Sequence, residues 1–204
     1  MNVQKLKEAE ERFLEAYPNG FMHPEMQALG KKHKMEQMVA MAREYFAKNG
    51  FSDPLTVARS MVDIVSRSSM VSLFEKPKFR DAVAAMDNNQ LQTLAHGLKD
   101  FLHGNQQEGF DALVSALTPF KLAKWTLITV VPNYYRPDEE VFIKPTTAKG
   151  VIQHFELQGL EYKPRPTWEF YAAYREAILK MKSLVDSSLT PSNAAFGGFL
   201  MMSL

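Results

Sequence analysis

An all-α fold, an irregular multi-helix bundle, is predicted from three observations. Apolar residues recur at helical spacing through most of the chain. Asn-Gly, Asp-Pro and Thr-Pro pairs punctuate that spacing where helices would stop and start. The 204 residues, 46% hydrophobic and 23% charged, are enough for a globular core that needs no covalent staples.

Taken in order, Leu6, Phe13, Leu14 and Tyr17 mark an opening helix that stops at Pro18-Asn19-Gly20. Met35, Met38, Val39, Ala42, Tyr45 and Phe46 form one stripe of a second helix, closed by Asn49-Gly50 as a C-cap. Asp53-Pro54 then offers an N-cap with proline at the first helical position. The helix it starts should turn Leu55, Ala58, Met61, Val62 and Val65 inward. A short helix around Pro77 to Met86 buries Phe79, Ala82, Val83 and Met86, and Asp87 or Asn88 caps the next. Leu91, Leu94, Ala95, Leu98, Phe101 and Leu102 are the inward face there, and Phe110, Leu113, Val114 and Leu117 that of a helix over Gln107 to Leu117.

The pattern changes after Pro119. Trp125 to Val131 is rich in β-branched residues, and a buried strand and a buried helix fit it equally. Val141-Phe142-Ile143 reads as extended because Lys144 precedes Pro145, a context that disfavours helix. A minor two-stranded β element near residues 126–143 is therefore allowed for, beside eight or nine helices. Thr146 is read as the cap of a helix to about Phe155. Later helices span roughly Thr167 to Asp186 and, opened by Thr190-Pro191, Ala194 to Met202. With no repeat and no low-complexity linker, one domain over residues 1–204 is expected, any sub-boundary falling near Pro119.

Composition excludes several chemistries. Cys is absent, which removes disulfides, thiol nucleophiles and Cys-ligated metals. The net charge of +1 gives no global field toward nucleic acid or an anionic membrane. The N-terminus runs straight into a charged amphipathic segment, and the apolar run Leu127 to Val131 is far too short to span a bilayer. A cytoplasmic protein without a membrane partner is expected. Dinucleotide, phosphate-loop, HExxH, EF-hand and nucleophile-elbow signatures are missing, and no cofactor is expected. Gly30-Lys31-Lys32-His33-Lys34 reads as a basic helix start. His96, Asp100 and His103 share a helix face at i, i+4 and i+7, but it lies opposite the apolar stripe, and a solvated face accounts for it.

The candidate ligand site is a basic and aromatic cluster around residues 134–168. Ten Lys/Arg stand against seven Asp/Glu between residues 121 and 182. Arg136, Lys144, Thr146, Thr147, Lys149, Tyr162, Lys163, Arg165 and Trp168 combine cations for phosphates with rings for stacking. At the helix start by Thr146, free backbone N–H groups, two hydroxyls and two flanking lysines would make an anion site. Packing of the aromatics on the core, polar tips outward, explains the same residues without a ligand. Glu139, Glu140, Glu156, Glu161 and Glu169 fall near these loops, and Asp63 sits beside its helix's apolar stripe, but nothing fixes two carboxylates at a working distance. The apolar end, Phe196-Gly197-Gly198-Phe199-Leu200-Met201-Met202, fits a docked helix or a homodimer contact in which glycines permit close approach.

Phe142-Ile143-Lys144-Pro145-Thr146-Thr147-Ala148-Lys149, followed by Tyr162-Lys163-Pro164-Arg165-Pro166-Thr167-Trp168-Glu169-Phe170-Tyr171, resembles a bacterial domain marked by F-[LI]-K-P-x-x-[TA]-K and then Y-x-P-x-P-x-W-x-x-Y. The resemblance implies no particular reaction or substrate. The leading expectation is a non-catalytic binding or interaction module, its partner a protein or a phosphate-bearing ligand. Nucleic-acid or phosphate-ligand binding by the same surface, and an enzyme without a local motif, stay open.

Overall fold

Side-chain caps set most of the helix starts. The computed structural model, which describes residues 1–204, contains eleven α-helices, three short 3₁₀ turns and no strand. The helices are α1 (Val3–Ala16), α2 (Pro24–His33), α3 (Met35–Tyr45), α4 (Pro54–Arg67), α5 (Glu75–Ala85) and α6 (Asn88–His103). They continue as α7 (Gln106–Leu117), α8 (Trp125–Tyr135), α9 (Pro145–His154), α10 (Trp168–Lys182) and α11 (Asn193–Met202). Asn2, Asp53, Asn105, Thr167 and Ser192 each accept a first-turn backbone N–H. Asp87 forms a full capping box with Gln90, which satisfies two otherwise orphaned donors.

The all-α expectation holds, with more helices than the eight or nine anticipated. The difference includes α2: Gly30 to His33 is its last turn rather than a helix start, and Lys34 ends it in the left-handed region at φ 52°. Three basic side chains in that turn suit the negative end of the helix dipole. Leu55 is also corrected: it is exposed, while Val57 takes the inward position. Fifty-one buried apolar residues form one connected cluster from Leu6 to Leu200. At its centre α6 and α7 cross in backbone contact. A Cβ on Gly109 would stand 2.1 Å from the Phe101 nitrogen, so only glycine permits the approach. No helix is long and apolar enough to cross a membrane.

The β element near residues 126–143 is not formed. Trp125 through Tyr134 are all buried in α8. A helix buried on every face has no polar side, which is why periodicity does not distinguish it from a core strand. Val141-Phe142-Ile143 is extended but pairs with no strand, because side chains take its donors. Val141 N donates to Tyr171 Oη at 3.3 Å and Ile143 N to Thr129 Oγ1 at 3.0 Å.

That extended run leaves a buried carboxylate. Glu140 is 1% exposed and accepts hydrogen bonds from Gln106 Nε2, Tyr171 Oη and Arg175 Nη1, each at 2.7 Å. Arg136 Nη1 lies 3.8 Å away, and Arg136 also donates to the Leu102 carbonyl. The Arg175 guanidinium lies 5.5 and 5.3 Å from the Trp168 and Tyr171 ring centroids. Asn193 Nδ2 donates to the Glu140 carbonyl at 3.0 Å, and Asn193 N to the Pro137 carbonyl at 2.7 Å. Burial, followed by the Glu140 charge, raises the Tyr171 phenol well above its ordinary value, so it stays a donor.

Asp63 is half-buried, with Tyr45 Oη at 2.9 Å and Arg67 Nε at 2.7 Å. Burial works against its ionised form, but the hydrogen bonds from Arg67 and Tyr45 and the Arg67 charge outweigh it and hold the pKa below the ordinary value.

Removing the Glu140 carboxylate strands Arg175 in the interior, so Glu140→Ala should cost about 3–5 kcal/mol in urea denaturation. Tyr171→Phe, which takes one donor from Glu140 and the acceptor from Val141 N, should cost about 1–3 kcal/mol. Asp63→Asn should lose less, about 1 kcal/mol at most. Because the folded-state pKa is the lower one, that loss is full above the unfolded carboxylate's pKa and vanishes as pH falls through the folded value. Denaturation curves for wild type and Asp63→Asn at pH 7 and at the acid limit of folding check the sign.

Candidate functional site

The end of the extended run delivers Lys144 to the surface. Lys144 takes the N-cap place of α9 in β geometry, with Pro145 at the first helical position. Thr146 is therefore inside the first turn and is not the cap. The cap makes no side-chain hydrogen bond, which leaves the N–H groups of Thr146 and Thr147 facing outward at the positive end of the helix dipole.

Lys144, Pro145 and Thr146 form one wall of a cleft of about 600 Å³. Across it stand Ser72 and Phe74 of the α4–α5 loop, Glu75 and Lys78 of α5, and Lys124, Trp125 and Thr126 at the start of α8. Tyr162 and Pro164 close the side. Trp125 Nε1 donates to the Lys163 carbonyl at 2.8 Å, which pins that loop against the cleft. Burial pushes the Tyr162 phenol pKa up, so its hydroxyl keeps its proton at neutral pH.

Charge in this cleft is unevenly matched. Glu75, its one carboxylate, accepts from Thr126 Oγ1 at 3.1 Å and lies 3.5 Å from Lys124 Nζ. Lys78 and Lys144 pair with no carboxylate. Three ammonium groups and the Thr146 hydroxyl thus share one concavity with one acid, to which the Ser72 and Thr126 hydroxyls already donate.

A second cleft, of about 520 Å³, lies between α2, α9 and α11. Its lining is mainly apolar and includes Met26, Met35, Val151, Ile178 and Met201. Ser69, Met70 and Lys144 line both clefts. Gly30, Gly197 and Gly198 also line the apolar cleft, and no atom lies within 4 Å of where a Cβ would stand on any of them. The glycine pair of α11 thus fronts open space, not a close backbone approach within the chain.

The nine candidate residues separate into groups. Lys144, Thr146 and Tyr162 line the polar cleft, and Thr147 the apolar one. Lys149 Nζ sits 4.9 Å from the Tyr162 ring centroid, a cation–π contact that braces the wall. Lys163 and Arg165 are exposed outside either lining. Arg136 and Trp168 do not belong with them, because both pack around Glu140 and Arg175. Tyr134 is fully buried against Ser68. His103 is corrected too: it is half-buried, and its Nε2 donates to the Phe46 carbonyl at 2.8 Å, which leaves His96 alone as the solvated histidine of that face.

Sequence reasoning missed Ser69, Ser72, Lys78, Lys124 and Thr126, which reach the cleft from α4–α5 and α8. Nothing in their spacing signals it. Only the fold brings them beside Lys144.

Comparisons of the chain with protein-family models, curated proteins and solved structures give no match.

Proposed function

We propose that this chain is a binding module whose polar cleft takes a small phosphate-bearing ligand. The observation that carries this reading is the convergence of Lys78, Lys124 and Lys144 on one cleft with a single, already engaged acid. Lys78 and Lys144, ammonium groups without carboxylate partners, favour an anion, and the Thr146 hydroxyl beside them supplies a neutral donor. The open first turn of α9 adds backbone N–H groups on the same wall.

The cleft's dimensions favour a small ligand over a nucleic-acid strand. Its cations sit in a concavity rather than along a stripe that could follow a backbone of phosphates. Binding without chemistry is favoured by Glu75, which is held by Thr126 and Lys124 and so is poorly placed to move a proton.

Calorimetric titration with inorganic phosphate and phosphorylated metabolites tests the proposal. Lys78→Ala and Lys144→Ala should each weaken phosphate about 10-fold or more, and affinity should fall as salt rises. Unchanged affinity in the doubly substituted protein would remove the cleft from consideration. A salt slope of many phosphate contacts with oligonucleotides would point to nucleic acid instead.

A further inference from the structure

Resting on that reading, we propose that the ligand is an amphipathic phosphate monoester, its headgroup in the polar cleft and a single alkyl or acyl chain in the apolar cleft of α2, α9 and α11. The two clefts share Ser69, Met70 and Lys144, so an ammonium group stands where the lining changes from polar to apolar. That is the arrangement an anionic headgroup with an attached chain would meet.

The apolar cleft carries independent signs of being kept open. Glycine inside a helix is costly, yet α2 and α11 place Gly30, Gly197 and Gly198 on this lining with nothing within 4 Å of a notional Cβ. Gly97 and Gly109 of the same chain show the opposite, with neighbours at 3.0 and 2.1 Å that a side chain would strike. Packing explains that second pair. It does not explain the first three, whose missing side chains leave room. Methionines on the same lining, among them Met26, Met35 and Met201, are flexible enough to mould around a chain. The cleft's volume, about 520 Å³, falls in the range of small-molecule sites.

The test is a calorimetric series of inorganic phosphate, then hexyl, octyl and decyl phosphate, all below their micelle concentrations. Affinity should rise about three- to fourfold per methylene added. Decyl trimethylammonium, with the same tail and the opposite charge, should not bind measurably. A 1-acyl glycerol phosphate and a plain alkyl phosphate compared in the same way distinguish a lipid headgroup from a free monoester. Gly197→Leu and Gly198→Leu should abolish the chain-length dependence while phosphate binding persists, which also shows that the variants are folded.

Phosphate binding without chain-length dependence, or a dependence unmoved by both leucine variants, would overturn this inference and leave the phosphate reading standing. Absence of phosphate binding would overturn the phosphate reading itself. A dimer in sedimentation that Gly197→Leu dissociates would seat a second copy of the chain in the apolar cleft and also overturn the assignment.

Discussion

The architecture of the second half depends on one buried charge. Taking a carboxylate from water into the core costs several kcal/mol unless donors surround it, and Glu140 is surrounded. Gln106 reaches it from the start of α7, Tyr171 and Arg175 from α10, and Arg136 from the end of α8. Its backbone carbonyl holds Asn193 at the start of α11. The donors come from α7, α8, α10 and α11, so the network closes only when these helices are in register. A closed polar network of this kind discriminates against alternative packings, since any slip leaves a charge unpaired. Glu140 lines neither of the two clefts, and its carboxylate oxygens are met by protein donors. It is a keystone of the packing rather than a reacting group.

The same network places the site. Residues 141–143 run extended from Glu140 to Lys144, and side chains from α8 and α10 satisfy two of their backbone donors. An irregular backbone can cross a core only where such partners exist. Here Thr129, which also bonds back to the Trp125 carbonyl, and Tyr171 supply them. The run therefore ends at a fixed point, with Lys144 at the junction of two clefts and α9 starting immediately after it. The wall opposite is fixed by a different device, the hydrogen bonds that tie Glu75 to Thr126 and Trp125 to the Lys163 carbonyl. The polar cleft is thus an assembly of four separate chain segments, at residues 69–78, 124–126, 144–146 and 162–164.

How much of this the sequence discloses follows from what kind of signal each element leaves. Amphipathic helices such as α4 and α6 show a stripe of buried residues and a capping side chain, and both are legible. Helix α8 carries no polar face, so its β-branched run gave no period to read, and its neighbour 141–143 was extended as expected but lacked a strand partner. Lys144, Thr146 and Tyr162 were legible as candidates because aromatic and basic residues cluster locally there. Arg136 and Trp168 belong to the same local cluster, but tertiary structure takes them inward: Arg175, a residue with no local mark, draws Trp168 under its guanidinium. Lys78 and Lys124 were invisible for the converse reason, since exposed lysines on short helices look like ordinary solvated charge.

The two polar clusters of this protein handle charge in opposite ways, and the contrast bears on what each does. Around Glu140 every ionised group is met by protein, two guanidiniums and two neutral donors serving one carboxylate, with aromatic faces covering Arg175. Nothing remains for a ligand. Around Lys144 the balance is left open: Lys78 and Lys144 without carboxylate partners, one acid already engaged by Lys124, Ser72 and Thr126, the Thr146 hydroxyl and a helix start without a side-chain cap, all on one cleft. Stability does not require that arrangement, because exposed lysines of like charge repel one another and gain nothing from being gathered. The three open glycines of the adjoining apolar lining make no close approach that packing requires, and each glycine weakens its helix. A fold that closes its buried charge so completely sets unpaired cations and an apolar groove side by side at one junction, and that contrast is what the proposed ligand reading rests on.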